Sequence, residues 1–133
     1  MGIAARIAGA LIGRAEPMPE ELARRYCELR TVRLRRGGLM PRVGGWALGR
    51  ATVEAITLRR TVFLAPHARA TAPLLLHELR HVQQFLESGA FPLRYLWESL
   101  RHGYEANPFE QDARRYAARR VAGERTSTSA RNA

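Results

Sequence analysis

LLLHELRHVQQF, residues 74–85, is the stretch on which the reading of this chain turns. Leu75, Leu79, Val82 and Leu86 recur at helical spacing, Thr71 can cap the helix, Pro73 suits its first turn, and Gly89 stops it. Set into this apolar helix are His77, Glu78 and His81, the pattern H-E-x-x-H. Residues four apart on a helix have Cβ atoms about 5–6 Å apart, so two imidazoles can converge on one ion. Bonds of roughly 2.0–2.1 Å from zinc to nitrogen fit that spacing without bending the helix. Glu78 is turned about 100° from His77 and flanks such an ion, where it can take a proton from water the metal has acidified to a pKa of about 7. With four histidines in the chain, a chance H-E-x-x-H is expected in only about one such sequence in a hundred.

Two ligands do not hold a catalytic zinc, and a third must come from elsewhere. The extended pattern H-E-x-x-H-x-x-G-x-x-H is absent, because Gln84 and Glu87 stand at its glycine and histidine positions. The candidates downstream are carboxylates: Glu87, Glu98, Glu105, Glu110 and Asp112. Glu110 is best placed, near the start of a helix opened by Asn107-Pro108, with small Ala113 on the next turn permitting close approach to the histidine helix. Asn107 to Glu110 is also a capping-box spacing, in which the glutamate would only fold back on the cap residue. Glu105, in the preceding loop, is the runner-up.

Length and composition set the frame. At 133 residues the chain is one domain with room for a single modest core, and 46% hydrophobic residues suit a globular fold. One cysteine excludes a disulfide framework; Cys27 reads as a small core hydrophobe and the compartment as cytoplasmic, with export by a specialised system left open. A net charge of +10 raises nucleic acid as a partner. All 22 basic residues are arginine, however, and they are scattered along the chain, which argues for a coding bias over a phosphate track. Residues 1–16 read as an apolar helix or arm packing on the domain or on a partner. Arg6 and Arg14 bracket too short a run to span a membrane, and no signal-peptide pattern follows.

Residues 17–122 then form the domain, of class α+β. Pro17 to Arg30 reads as a helix, with Glu20 and Glu21 in its first turn, and Thr31 to Arg35 as a short strand. Gly37-Gly38 and Gly44-Gly45 punctuate a loop. Ala51 to Leu64 alternates like one long strand or a hairpin turning at Arg59-Arg60, a pair that two-residue turns rarely use. After the histidine helix, another opens at Pro92 with the stripe Leu93, Leu96, Trp97 and Leu100 and closes at Gly103; a further one runs from Asn107-Pro108 through Ala118. The tail, residues 123–133, is polar and reads as disordered.

From Ala55 to Arg120 the chain resembles the small bacterial zincin-like domains of gluzincin type, which occur alone and within proteins of extracellular contractile injection systems. The resemblance is carried by AITLRRTVFLAP, LLLHELRHVQQF and FPLRYLWESLRHGYEANPFEQDARRYA. It implies a minimal zincin-like fold: a small antiparallel sheet or hairpin packed on the H-E-x-x-H helix, followed by two further helices. It implies a Zn2+ cofactor held by His77, His81 and Glu110, with Glu78 as general base, and a peptide or protein as substrate. Family members often have glycine where Arg59 stands, and larger gluzincins often place aspartate where Arg114 stands.

Metal-assisted peptide hydrolysis follows from that resemblance, with an extended substrate laid along the strand Thr61, Val62, Phe63 and Leu64. Tyr104 or His102 is near enough in sequence to steady an oxyanion, while Phe91, Tyr95 and Trp97 read as core between helices. The competing class is a zinc-containing module of little turnover that binds or assembles with a partner protein; a basic nucleic-acid-binding domain is a further alternative.

Overall fold

The computed structural model describes residues 2–47 and 53–132; Ala51 and Thr52, where the predicted strand began, and the terminal Met1 and Ala133 lie outside them. In chain order the elements are α1 (Ile3–Ile12), β1 (Arg14–Glu16), α2 (Glu20–Arg25), a 3-10 turn (Cys27–Thr31), β2 (Arg33–Arg36), α3 (Met40–Ala47), β3 (Ala55–Leu58), β4 (Thr61–Leu64), α4 (Ala72–Glu87), α5 (Phe91–Ala106) and α6 (Pro108–Arg131). The class is α+β, and the hairpin does pack on the helix carrying the histidines. No helix among the described residues is long and apolar enough to cross a membrane.

The hairpin reading holds despite its unusual turn. Leu58 pairs with Thr61, leaving Arg59-Arg60 as the two-residue connection, and Arg59 adopts the left-handed conformation with φ 56°. The sheet is wider than a hairpin and mixed, in the order β1-β2-β4-β3, with β2 and β4 parallel and the outer pairs antiparallel. This corrects the expected substrate strand. Thr61, Val62, Phe63 and Leu64 form β4, which is paired on both sides and has no backbone groups left to receive another strand. The outer strand beside α4 is β3.

One face of the sheet and the helices behind it make the core. Leu29, Val62, Leu64, Leu75, Leu76 and Val82 are fully buried, each stabilising the fold by about 1.5–3 kcal/mol. Ala113 and Ala117 on α6 are buried as well, and their small side chains let α6 lie close along α4. α4 starts as its sequence predicts: the Thr71 hydroxyl accepts from Leu74 N–H, and proline stands in the first turn.

Several local expectations yield to longer-range packing. The helix predicted over Pro17 to Arg30 breaks at Tyr26 (φ −125°, ψ 83°) and tightens into the 3-10 turn, which sets both Tyr26 and Leu29 in the core. Gly44-Gly45 lies inside α3, not in a loop; a Cβ on Gly44 would come within 2.5 Å of Ile56 Cδ1, so the missing side chain is what lets α3 close on β3. Cys27 is exposed instead of in the core. α1 buries none of its residues, and Ile3, Ile7 and Leu11 face outward. It is held at its end by the Arg35 guanidinium, which donates to the Ile12 and Gly13 carbonyls at 2.8 Å each.

The stripe on α5 also faces away from the core. Leu93, Trp97 and Leu100 are 73%, 60% and 84% exposed, so Trp97 is not core, whereas Phe91 is buried. The tail from Gly123 continues α6 to Arg131. Once a helix is nucleated each further residue adds a hydrogen bond at little cost, and Thr126, Ser127 and Thr128 donate to carbonyls four residues back. Polar composition had pointed to disorder because it carries no apolar face to pack.

Candidate metal centre

α4 supplies two of the converging groups from one face, as its spacing dictates. His77 Nε2 and His81 Nε2 lie 3.2 Å apart. α6 supplies the third: Glu110 Oε2 is 2.9 Å from His77 Nε2 and Glu110 Oε1 is 3.1 Å from His81 Nε2. Ligand atoms around a tetrahedral zinc stand roughly 3.3 Å apart, given bonds of about 2.0–2.1 Å, so this constellation needs to open by only a few tenths of an ångström. The three residues meet the separation that a shared metal ion requires. Two imidazoles and a carboxylate are also the donor set of catalytic zinc sites that keep a fourth position for water.

The other acids go elsewhere. Glu105, the runner-up ligand, is three-quarters exposed and pairs with Arg114 at 2.9 Å. Glu87 pairs with Arg80, and Glu98 with His102 at 3.3 Å. His102, so paired, is half-exposed and is not one of the three residues that converge. The capping-box role of Glu110 is also excluded. Asn107 caps α6 by accepting from Phe109 N–H at 2.9 Å, and its own N–H donates to the Tyr104 carbonyl, so nothing is left for Glu110 to cap.

Glu78 is buried next to the triad and receives a 2.6 Å hydrogen bond from the Thr57 hydroxyl on β3. Two clefts meet at Glu78 and Tyr104. One, of about 240 Å³, is mostly apolar and runs between β3 and α5 past His81, Phe91 and Tyr95; the other, of about 490 Å³, opens past His77 toward Arg114. Tyr104 reaches this position because Gly103 (φ 75°, ψ 170°) breaks α5 one turn before its end.

Electrostatics bind the cluster together. Burial works against charge on His81, but its hydrogen bond to Glu110 and the charges of Glu78 and Glu110 outweigh it and hold the imidazolium up to about 9. Burial likewise disfavours ionised Glu110, yet hydrogen bonds from His77, His81 and Tyr95 keep its carboxyl well below the usual range. Burial, reinforced by the Glu110 charge, pushes the Tyr104 hydroxyl up to about 12, so it remains a proton donor at neutral pH.

Three supporting residues escaped the motif reading. Tyr95, read as core, donates its hydroxyl to Glu110 Oε1 at 2.6 Å. Thr57 is one position in an alternating strand with nothing local to mark it. Gln84 contacts His81 Nδ1 at 2.8 Å; its place three residues after His81 on the same helix was the available signal. Asp112, a candidate ligand, instead receives Arg80 Nε at 2.6 Å and Gln84 Nε2 at 3.0 Å. Arg114 stacks over Tyr104 and pairs with Glu105, and Glu110 is held by the Tyr95 hydroxyl.

No curated protein and no solved structure matches the chain. A family model does, over residues 17–89, a span that holds all four strands except β1 and the whole of α4 with His77, Glu78 and His81, and ends before Glu110. With more than half its length in that match, the chain belongs to the eCIS core domain family.

Proposed function

We propose that this chain is a zinc-dependent, metallopeptidase-like domain of gluzincin type that hydrolyses a peptide bond, with Glu78 as general base. The observation that carries the reading is the convergence of His77, His81 and Glu110 from two helices, with a buried carboxylate alongside at the junction of two clefts. Bound there, zinc would supply a Lewis acid for the scissile carbonyl and lower the pKa of water to about 7.

The chain's own residues would do the rest. Glu78, adjacent in sequence to a ligand but turned about 100° from it, accepts the proton of the attacking water and returns it to the leaving amine. The Thr57 hydroxyl, bonded to Glu78 Oε2, directs the other carboxylate oxygen toward the water. Tyr104, protonated at neutral pH, can donate to the developing oxyanion. The substrate strand would add to β3, the outer strand that lines the apolar cleft.

Membership in the eCIS core domain family favours a second reading, a zinc-containing module that assembles with other proteins of a larger system and turns over little. The nucleic-acid reading has less behind it, since Arg36, Arg80, Arg114 and Arg120 are engaged in ion pairs within the chain. Metal analysis of the purified protein and its His77→Ala variant, followed by cleavage of a peptide library by the parent and Glu78→Gln, tests the proposal. One zinc in the parent, none in His77→Ala, and cleavage lost in Glu78→Gln are expected. Zinc without cleavage would replace it with the assembly reading.

A further inference from the structure

We infer that Gln84 is a positioning residue that holds His81 as its Nδ1–H tautomer, so that Nε2 presents a lone pair toward His77 and Glu110. The inference comes from counting donors and acceptors around one buried amide. Gln84 is 4% exposed, and its Nε2 lies 3.2 Å from the Phe109 carbonyl and 3.0 Å from Asp112 Oδ2. A backbone carbonyl only accepts, and so does Asp112, kept ionised by Arg80 at 2.6 Å. The NH2 of Gln84 must therefore occupy that side; rotating the amide would set its oxygen against two acceptors. The atom left facing His81 Nδ1 at 2.8 Å is the Gln84 oxygen, which can only accept. Nδ1 thus carries the proton, and in the neutral ring Nε2 cannot.

The assignment is not what the site alone would choose. Glu110 Oε1, 3.1 Å from His81 Nε2, would draw the proton of a neutral imidazole to Nε2 and fill the position that a metal needs. Gln84 opposes that pull. Its amide also ties α4 to Phe109 and Asp112, the two residues that bracket Glu110 at the start of α6. One side chain so governs both the ring that offers a nitrogen and the approach of the carboxylate. The consequence for zinc affinity rests on the proposed metal site; the tautomer does not.

The test is nitrogen NMR of the histidine rings in metal-free protein, at a pH where His81 is neutral, with zinc affinity measured in parallel by chelator competition. The parent is expected to show Nδ1–H at His81. Gln84→Leu, of similar size but without an acceptor, should shift the ring toward Nε2–H and weaken zinc binding tenfold or more. Gln84→Glu, which keeps an acceptor for Nδ1 while losing the donors to α6, should keep the tautomer; a merely structural role would treat the two variants alike. A parent that shows Nδ1–H but binds no zinc sustains the assignment and removes the zinc reading. A parent with Nε2–H, or a folded Gln84→Leu protein with the parent's tautomer and zinc affinity, overturns it. If Gln84→Leu does not fold, the parent and Gln84→Glu spectra decide.

Discussion

Replacing Glu110 with glutamine should change how stability depends on pH, and the sign follows from the cluster. In the metal-free protein the folded-state pKa of His81 is about 9, above its ordinary 6.5. The stabilisation this represents is complete below pH 6.5 and is lost as pH rises through about 9. At about 1.4 kcal/mol per pH unit, the rise amounts to on the order of 3 kcal/mol, and His81 is too buried for water to screen much of it. Glu110 contributes in the opposite sense: its pKa is lowered, so its share is present above pH 4.5 and disappears as pH falls through its folded value. Urea unfolding of metal-free protein should therefore show greatest stability between pH 4.5 and 6.5 and a decline toward pH 9.5. Glu110→Gln, which removes the main favourable partner of the imidazolium, should flatten that decline, and zinc should abolish it in the parent by taking the place of the proton. A parent whose stability is level from pH 6.5 to 9.5, or a Glu110→Gln variant with the parent's slope, would refute the coupling.

Three further outcomes are expected. Glu78→Gln should bind zinc as the parent does while peptide hydrolysis falls by roughly 10²–10⁴-fold, read by metal analysis alongside a fluorogenic peptide assay. Tyr95→Phe removes the hydroxyl that donates to Glu110 Oε1 and should destabilise the protein by about 1–2 kcal/mol; an unchanged urea midpoint would mean that the bond carries no weight. Arg59→Gly should stabilise the hairpin by roughly 0.5–1 kcal/mol, because a left-handed φ of 56° is strained for arginine and free for glycine. Thermal unfolding at fixed pH measures it, and a lowered midpoint would show that the Arg59 side chain contributes more than its strain costs.

Much of the centre is local and could be read without a fold. The i, i+4 histidines share a face because any helix places them so, and Thr71, Pro73 and the leucine stripe guarantee the helix. Asn107-Pro108 marks the start of α6 for an equally local reason. Beyond one turn of chain the reading loses its grip. The same alternating pattern serves an edge strand and a central one, so only the parallel pairing of β2 with β4 reveals that β3 is the outer strand. The α5 stripe has ideal helical spacing, but spacing does not say whether anything lies against it, and in this chain its leucines and Trp97 face outward.

What the amino-acid sequence alone determined is the pair of imidazoles, the carboxylate beside them and the class of the fold. Each of these depends on neighbours within about one helical turn or on overall periodicity. Tertiary structure decided which acid completes the triad, which strand is outermost beside it, and how Thr57, Gln84 and Tyr95 contact Glu78, His81 and Glu110. Those outcomes depend on how α4, α5, α6 and β3 close on one another, and a hydroxyl or amide of ordinary local character acquires a partner only when that closure brings one within about 3 Å.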